Sequence, residues 1–287
     1  MNYLSQVMKY LSSASDIAEI YMVSKAPPVD RRDEKLIKIM DVTLNPEDIR
    51  DTLLALRSYT SSSPGPLGNE GVFSFGISNI GRFRVSYTVQ RGSYAVNIVK
   101  TPYNIPMLEE LCENNKHVHK LDEIVRLHRS GIILVLGKNL PKISTFVYSL
   151  LQYISKHYTK VILTLEKPIS FLLRHDRSLV IQIEAGTDTP TFEEGLRSIL
   201  YMNPDVVYID YRSITLNEKI LQGLYHLVQL DTLLFFHPSF MSDDTVMEDL
   251  KQQKELIKAI IKVESSKTEE RLNIRITDTE HQALENH

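Results

Sequence analysis

The stretch Gly131–Thr145, GIILVLGKNLPKIST, decides how the rest of the chain is read. Ile132–Leu136 is a short apolar strand, a sharp turn opens at Gly137, and Ser144-Thr145 lead into a helix with Phe146, Val147, Leu150, Leu151 and Ile154 on one face. Strand, turn and helix in that order form the frame of a phosphate-binding P-loop, G-x-x-x-x-G-K-[ST]. In a working loop the glycines let backbone N–H groups close around phosphates, the lysine reaches the β- and γ-phosphates, and the Ser/Thr hydroxyl holds Mg²⁺. Here Gly137 holds the first glycine, Lys142 stands at the second, Ile143 replaces the lysine, and Ser144 and Thr145 follow. Charge-assisted bonds to phosphate contribute about 1.5–3 kcal/mol each, and an isoleucine supplies none. Leu140 and Pro141 compound the loss, since side chains and a missing N–H obstruct close backbone approach. The degenerate loop is thus expected to join strand to helix without gripping an anion. The competing reading has Lys142 substitute from one position too early.

Downstream, short apolar runs alternate with amphipathic helices: strand Val161–Leu165, strand Leu179–Ile183, helix Phe192–Tyr201, strand Val206–Ile209, helix Leu216–Val228 and strand Leu233–Phe236. That alternation indicates an α/β sheet buried on both faces. A charged helix over Thr245–Val263 and a last strand through Leu272, Ile274 and Ile276 are expected to close this domain, 118–287. Upstream, a helix over 2–12, strands at Ile17–Val23 and Leu36–Met40, a helix begun by Asn45-Pro46, and a meander of Val72–Ser78, Arg82–Gln90 and Ser93–Val99 make an α+β domain over 1–103. The breaker-rich loop Thr60–Glu70 interrupts it, and 104–117 reads as a linker.

Composition narrows the function classes. A chain of 287 residues with 43% hydrophobic and 24% charged residues is globular and long enough for two cores. The net charge of −3 gives no global basic field for a nucleic-acid backbone, so no nucleic-acid partner is expected. The single cysteine, Cys112, excludes an intrachain disulfide and fits a reducing compartment. No apolar run reaches the length of a membrane span, so no direct membrane insertion and a cytoplasmic location are expected. His117, His119 and His128 are too loosely disposed for a metal site, and no metal is assigned.

The order of motifs resembles the type II–IV secretion ATPase superfamily, most closely the PilT-like retraction ATPases of bacterial type IV pili, over nearly the whole chain. Ser13–Asp16 resembles the family's A-S-D entry, and Pro27–Asp33 its P-P-x-x-R-x-D turn. Phe73-Ser74-Phe75, Gly81–Val85 and Gln90-Arg91-Gly92 follow its F-S-F, RFRV and Q-R-G pattern, and Met107–Leu111 matches the run before the ATPase domain. Ile162–Ile169 is similar to the Asp box I-L-T-I-E-D-P-I, keeping Glu166 but placing Lys167 at the aspartate. The resemblance implies a PAS-like α+β domain followed by a RecA-like P-loop NTPase-fold α/β domain. In relatives this fold carries ATP and Mg²⁺.

Departures concentrate at the nucleotide chemistry. The Walker B ending V-G-E-x-R becomes Ile209-Asp210-Tyr211-Arg212, with Tyr211 at the glutamate, and the His box L-H-T becomes Phe236-His237-Pro238. Glu166, Asp210 and His237 are then remnants of a catalytic set. Arg82, Arg84 and Arg91 match N-domain arginines that reach the nucleotide of a neighbouring subunit in the family and are expected here to serve the interface, and the C-terminal region is expected to be shortened. The expectation is a pseudo-ATPase that needs no cofactor. It would bind itself or a paralogous pilus ATPase, together with pilus machinery proteins that bring it to the inner face of the cytoplasmic membrane. The rivals are a divergent ATPase powering pilus retraction or secretion through Lys142, Asp210, ATP and Mg²⁺, and an inert homologue with a different ligand at the old cleft.

Overall fold

A computed structural model of the chain describes residues 2–14, 18–32, 35–60, 66–265 and 271–279. Ser15 and Asp16 of the entry motif, Asp33, residues 61–65 of the expected loop and the polar end 280–287 lie outside the described residues. The chain divides into two compact units, residues 1–104 with 170–172, and residues 105–169 with 173–287.

The first unit is an antiparallel sheet with two helices. In chain order it has α1 (Leu4–Ser13), β1 (Ala18–Met22), β2 (Val29–Arg32), β3 (Lys35–Lys38), α2 (Pro46–Arg57), β4 (Glu70–Ile77), β5 (Gly81–Gln90) and β6 (Ser93–Pro102). The sheet order is β3-β2-β1-β6-β5-β4. β1 and β5 bury alternate residues, as the period of two requires, so their Ile20, Phe83 and Val85, together with Ile98 of β6, share a core with Val7 and Leu11 of α1 and Ile49, Leu53 and Leu56 of α2. The expected Pro27–Asp33 turn contains a strand, β2, because Val29–Arg32 pairs on both sides. At the β5–β6 hairpin Arg91 and Gly92 both have positive φ, 49° and 76°, the handedness that a two-residue turn between twisted strands needs.

The start of α2 is set by a reciprocal cap. Asn45 Oδ1 accepts from Asp48 N at 2.9 Å, Asp48 Oδ2 accepts from Asn45 N at 2.9 Å, and Pro46 stands in the first turn.

The second unit contains α3 (Leu108–Leu111), α4 (Asn115–Leu127), β7 (Gly131–Gly137), α5 (Leu140–His157), β8 (Val161–Glu166), β9 (Leu179–Glu184), α6 (Phe192–Met202), β10 (Val206–Tyr211), α7 (Glu218–Gln229), β11 (Leu233–Pro238), α8 (Asp243–Asp249), β12 (Ile257–Ser265) and β13 (Leu272–Asp278). Its sheet order is β13-β12-β7-β11-β10-β8-β9, parallel throughout except for the antiparallel edge strand β13. β7, β10 and β11 are apolar runs because they are central and covered on both faces.

Three sequence expectations are corrected here. Residues 105–117 belong to the second unit, where Leu108, Leu111 and Cys112 are buried, so the segment packs rather than links. The helix after β7 begins at Leu140, not Ser144: Pro141 suits a first turn, and Asn139 caps it through Lys142 N at 3.1 Å. The tail over Thr245–Val263 is not one helix. It is α8, a 3-10 stretch over Lys251–Leu256, and then β12, which covers the open side of β7 in parallel register. β7 is buried over Gly131–Leu136, and a strand that deep needs a partner on each side for its backbone groups.

Replacing Asn45 with alanine removes half of the α2 cap and is expected to destabilise the first unit by about 1 kcal/mol, with serine retaining most of the stability. A urea titration followed by circular dichroism reads the difference.

Candidate functional site

The C-terminal ends of the parallel strands bring the sequence-expected acids and histidine into one row. Glu184 of β9 lies beside Glu166 of β8, and Asp210 of β10 lies beside His237 of β11. Asp210 and Glu166 continue the β8–β10 register one step past the Leu165–Ile209 pair. His237 Nδ1 donates to Val135 O of β7 at 2.7 Å, which fixes the tautomer and leaves Nε2 without a proton. Glu166, Asp210 and His237 are all buried, at 1%, 1% and 2% exposure, so none meets bulk water.

Each of these groups is already engaged inside the chain. Asp210 Oδ2 accepts from Arg212 Nε at 2.8 Å and Nη2 at 2.7 Å, and its Oδ1 accepts from Ser239 Oγ. Tyr148, on the buried face of α5, donates to Glu166 Oε1 and receives Gln182 Nε2 at 3.2 Å. Glu184 accepts from Ile169 N at 2.9 Å and Thr187 Oγ1 at 2.9 Å. Arg212, Ser239, Tyr148 and Gln182 had no role assigned from sequence. The signal was the two-residue alternation at the strand ends, Thr164/Glu166 and Tyr208/Asp210, which puts polar groups on one face of otherwise apolar strands.

The electrostatics follow from burial. Burial raises the Glu166 carboxyl to about 7, against the Tyr148 hydrogen bond, and the Asp210 charge adds to the rise. Burial acts on Asp210 in the same direction, but Arg212, His237 and Ser239 outweigh it and hold that carboxyl below its usual range. Burial pushes His237 down despite the pull of Asp210, so the imidazole is neutral at physiological pH.

The degenerate loop sits at the same edge. Only Lys138 and Asn139 separate β7 from α5. Pro141 has no N–H, Lys142 N is capped by the Asn139 side chain, and Ile143 N donates to Asn139 O at 3.0 Å. Ile143 is fully buried, and a Cβ on Gly137 would lie 3.0 Å from its Cδ1 and 2.5 Å from Val263 O. Ser144 and Thr145 are buried within α5, where Thr145 Oγ1 donates back to Pro141 O at 2.9 Å. The Lys142 side chain is half-buried.

Arg82, Arg84 and Arg91 belong to the first unit. Arg82 and Arg84 alternate with buried Phe83 and Val85 on β5, Arg82 Nη2 donating to Ser74 Oγ at 2.7 Å, and Arg91 stands in the β5–β6 turn.

Residues 73–210 match the family described as type II/IV secretion system protein. The type IV pilus ATPase PilU of Pseudomonas aeruginosa is 29% identical over 67% of this chain and 49% of its own length. PilT of the same organism, a type IV pilus retraction ATPase, is 27% identical over 69% and 56% respectively. The chain thus spans about half the length of the curated relatives it matches. Among solved structures, that of the pilus retraction motor PilT with bound ADP superposes with a TM-score of 0.74 at 24% identity, covering 97% of this chain and 83% of that one.

Over residues 73–210 the chain is similar to the type II/IV secretion system protein family, and its relatives include PilU and PilT.

Its mixed α/β fold, with two sheets, is that of the PilT structure. Among the described residues, no helix is long and apolar enough to cross a membrane.

Arg212 neutralises a carboxylate that has no water to solvate it. Arg212→Met is expected to destabilise the chain by about 3–5 kcal/mol, because it leaves Asp210 charged and buried. Adding Asp210→Asn to the same chain should restore most of that loss. Urea midpoints for the two variants check both statements.

Proposed function

We propose that the chain is a non-hydrolysing homologue of type IV pilus motor ATPases, acting as a binding or regulatory subunit of a pilus-like machine. The observation that supports this reading is the early start of α5. A phosphate-gripping loop needs free amides held open around an anion. Here Leu140–Ile143, the positions that would form the cradle, are wound into a capped helix. Ile143, in place of the lysine, points into the core beside Gly137.

The residues do not fit Mg-ATP at the other end of the site either. Asp210 would hold Mg²⁺ through water in a working relative, but Arg212 and Ser239 occupy its oxygens. Tyr211, at the glutamate in the simplest alignment, packs edge-on against Phe192 with ring centroids 5.0 Å apart. In a register one residue shorter, Asp210 and Arg212 reproduce the E-x-R spacing. The acid is then tied to its own arginine instead of facing a water.

In this reading the first unit is the PAS-like domain and the second the RecA-like domain. Arg82, Arg84 and Arg91 serve contact with a neighbouring subunit, either a second copy or a paralogous pilus ATPase. The protein works in the cytoplasm, at the inner membrane face where pilus machinery recruits it.

A steady-state assay with Mg-ATP is expected to show no turnover, alone or with Lys142→Ala. Turnover that disappears on Lys142→Ala would favour the divergent ATPase that uses Lys142 and Asp210.

A further inference from the structure

A cavity of about 220 Å³ opens in the first unit beside the β4–β5 turn and the end of β6. Pro102, Tyr103, Phe171 and Leu172 give it an apolar wall, and Thr101 Oγ1 donates to Ser170 O at 2.7 Å, which ties residues 170–172 to β6. Tyr103 and Leu172 keep 44% and 54% of their surface exposed, so part of that wall faces solvent. Among the described residues that line the cavity, Arg82 is the charged one, and its Nη2 donates to Ser74 Oγ at 2.7 Å, which holds the guanidinium along β4. Gly76 stands directly across from Arg82 in an unbroken β4–β5 register, on the same face of the sheet. Its backbone lacks the positive φ that calls for glycine, and a Cβ there would meet no atom within 4 Å. Glycine inside a strand costs stability, and where neither bulge nor crowding explains it, it marks close approach of a ligand or another backbone.

We propose that this cavity binds a small apolar carboxylic acid, its carboxylate on Arg82 beside Gly76 and its hydrocarbon against Pro102, Tyr103, Phe171 and Leu172. Size and lining select that class. An apolar cavity of about 150 Å³ admits benzene, whereas sites for drug-sized ligands start at about 300 Å³, so this one takes a single ring or short alkyl group and is too small to enclose a nucleotide. A guanidinium in apolar surroundings meets a carboxylate with two parallel N–H bonds, while a phosphate dianion there would leave most of its acceptors unmet. A free acid and the C-terminal residue of a peptide share this chemistry. The site lies within the first unit and requires neither nucleotide nor a neighbouring subunit.

Amide resonances of the full chain, titrated with phenylacetate and with a short peptide ending in phenylalanine, test this. Saturable shifts are expected at Gly76, Arg82 and Leu172, and whichever probe binds more tightly identifies the source, free acid or chain terminus. Phenylacetamide, which lacks the charge, should bind at least tenfold more weakly than phenylacetate, and Arg82→Met should weaken phenylacetate at least tenfold. Gly76→Val, whose side chain enters the open space and suits a strand, should abolish the shifts at Arg82 and Leu172 and leave the rest of the spectrum in place. No saturable shift with either probe, equal binding of phenylacetamide, unchanged binding to Arg82→Met or Gly76→Val, or displacement of phenylacetate by an equal concentration of inorganic phosphate would each overturn the proposal.

Discussion

Ile143 packs where β7, α5 and β12 meet, and the space it fills is closed on every side. Gly137 must lack a side chain, because a Cβ there would press on Val263 O and on Ile143 itself. Burying an isoleucine contributes about 1.5–3 kcal/mol, comparable with one charge-assisted bond to phosphate. Ile143 thus packs α5 onto the end of β7 at Gly137. The early start of α5 follows: with Ile143 anchored inward, Asn139 caps and Pro141 sits in the first turn.

The same edge has made its charges internal. Parallel strands converge their C-terminal ends on one crevice, so polar residues there are brought together by topology and must be solvated or paired. Asp210 is paired with Arg212 and Ser239, His237 is tied to Val135, and Glu166 is held by Tyr148. A buried pair of this kind is weak evidence of net stability, yet breaking it is costly. The polar groups of the crevice are consequently engaged within the chain itself.

Much of the fold is legible in the chain because central parallel strands are unbroken apolar runs. Ile132–Leu136, Val206–Ile209 and Leu233–Phe236 could be placed from that alone. The tail misled for a physical reason: Leu256, Ile257, Ile260 and Ile261 fit a helical stripe as well as a strand, and the partner that decides between them, β7, is remote in sequence. The site was half legible. Glu166, Asp210 and His237 close apolar runs and stand out, whereas Arg212, Ser239 and Tyr148 acquire meaning only from a register that no local pattern encodes. Leu140 and Pro141 signalled obstruction, but not that the loop would become helix.

The most direct measurement is a nuclear magnetic resonance titration of the backbone amides over Gly137–Thr145 with Mg-ATP. With Lys142 and Ile143 amides committed to Asn139 and Ile143 in the core, those resonances are expected to stay in place at millimolar nucleotide. Saturable shifts of the Lys138, Leu140, Lys142 and Ile143 amides would show that the loop still opens around phosphate, and would contradict the reading of this edge as a closed one.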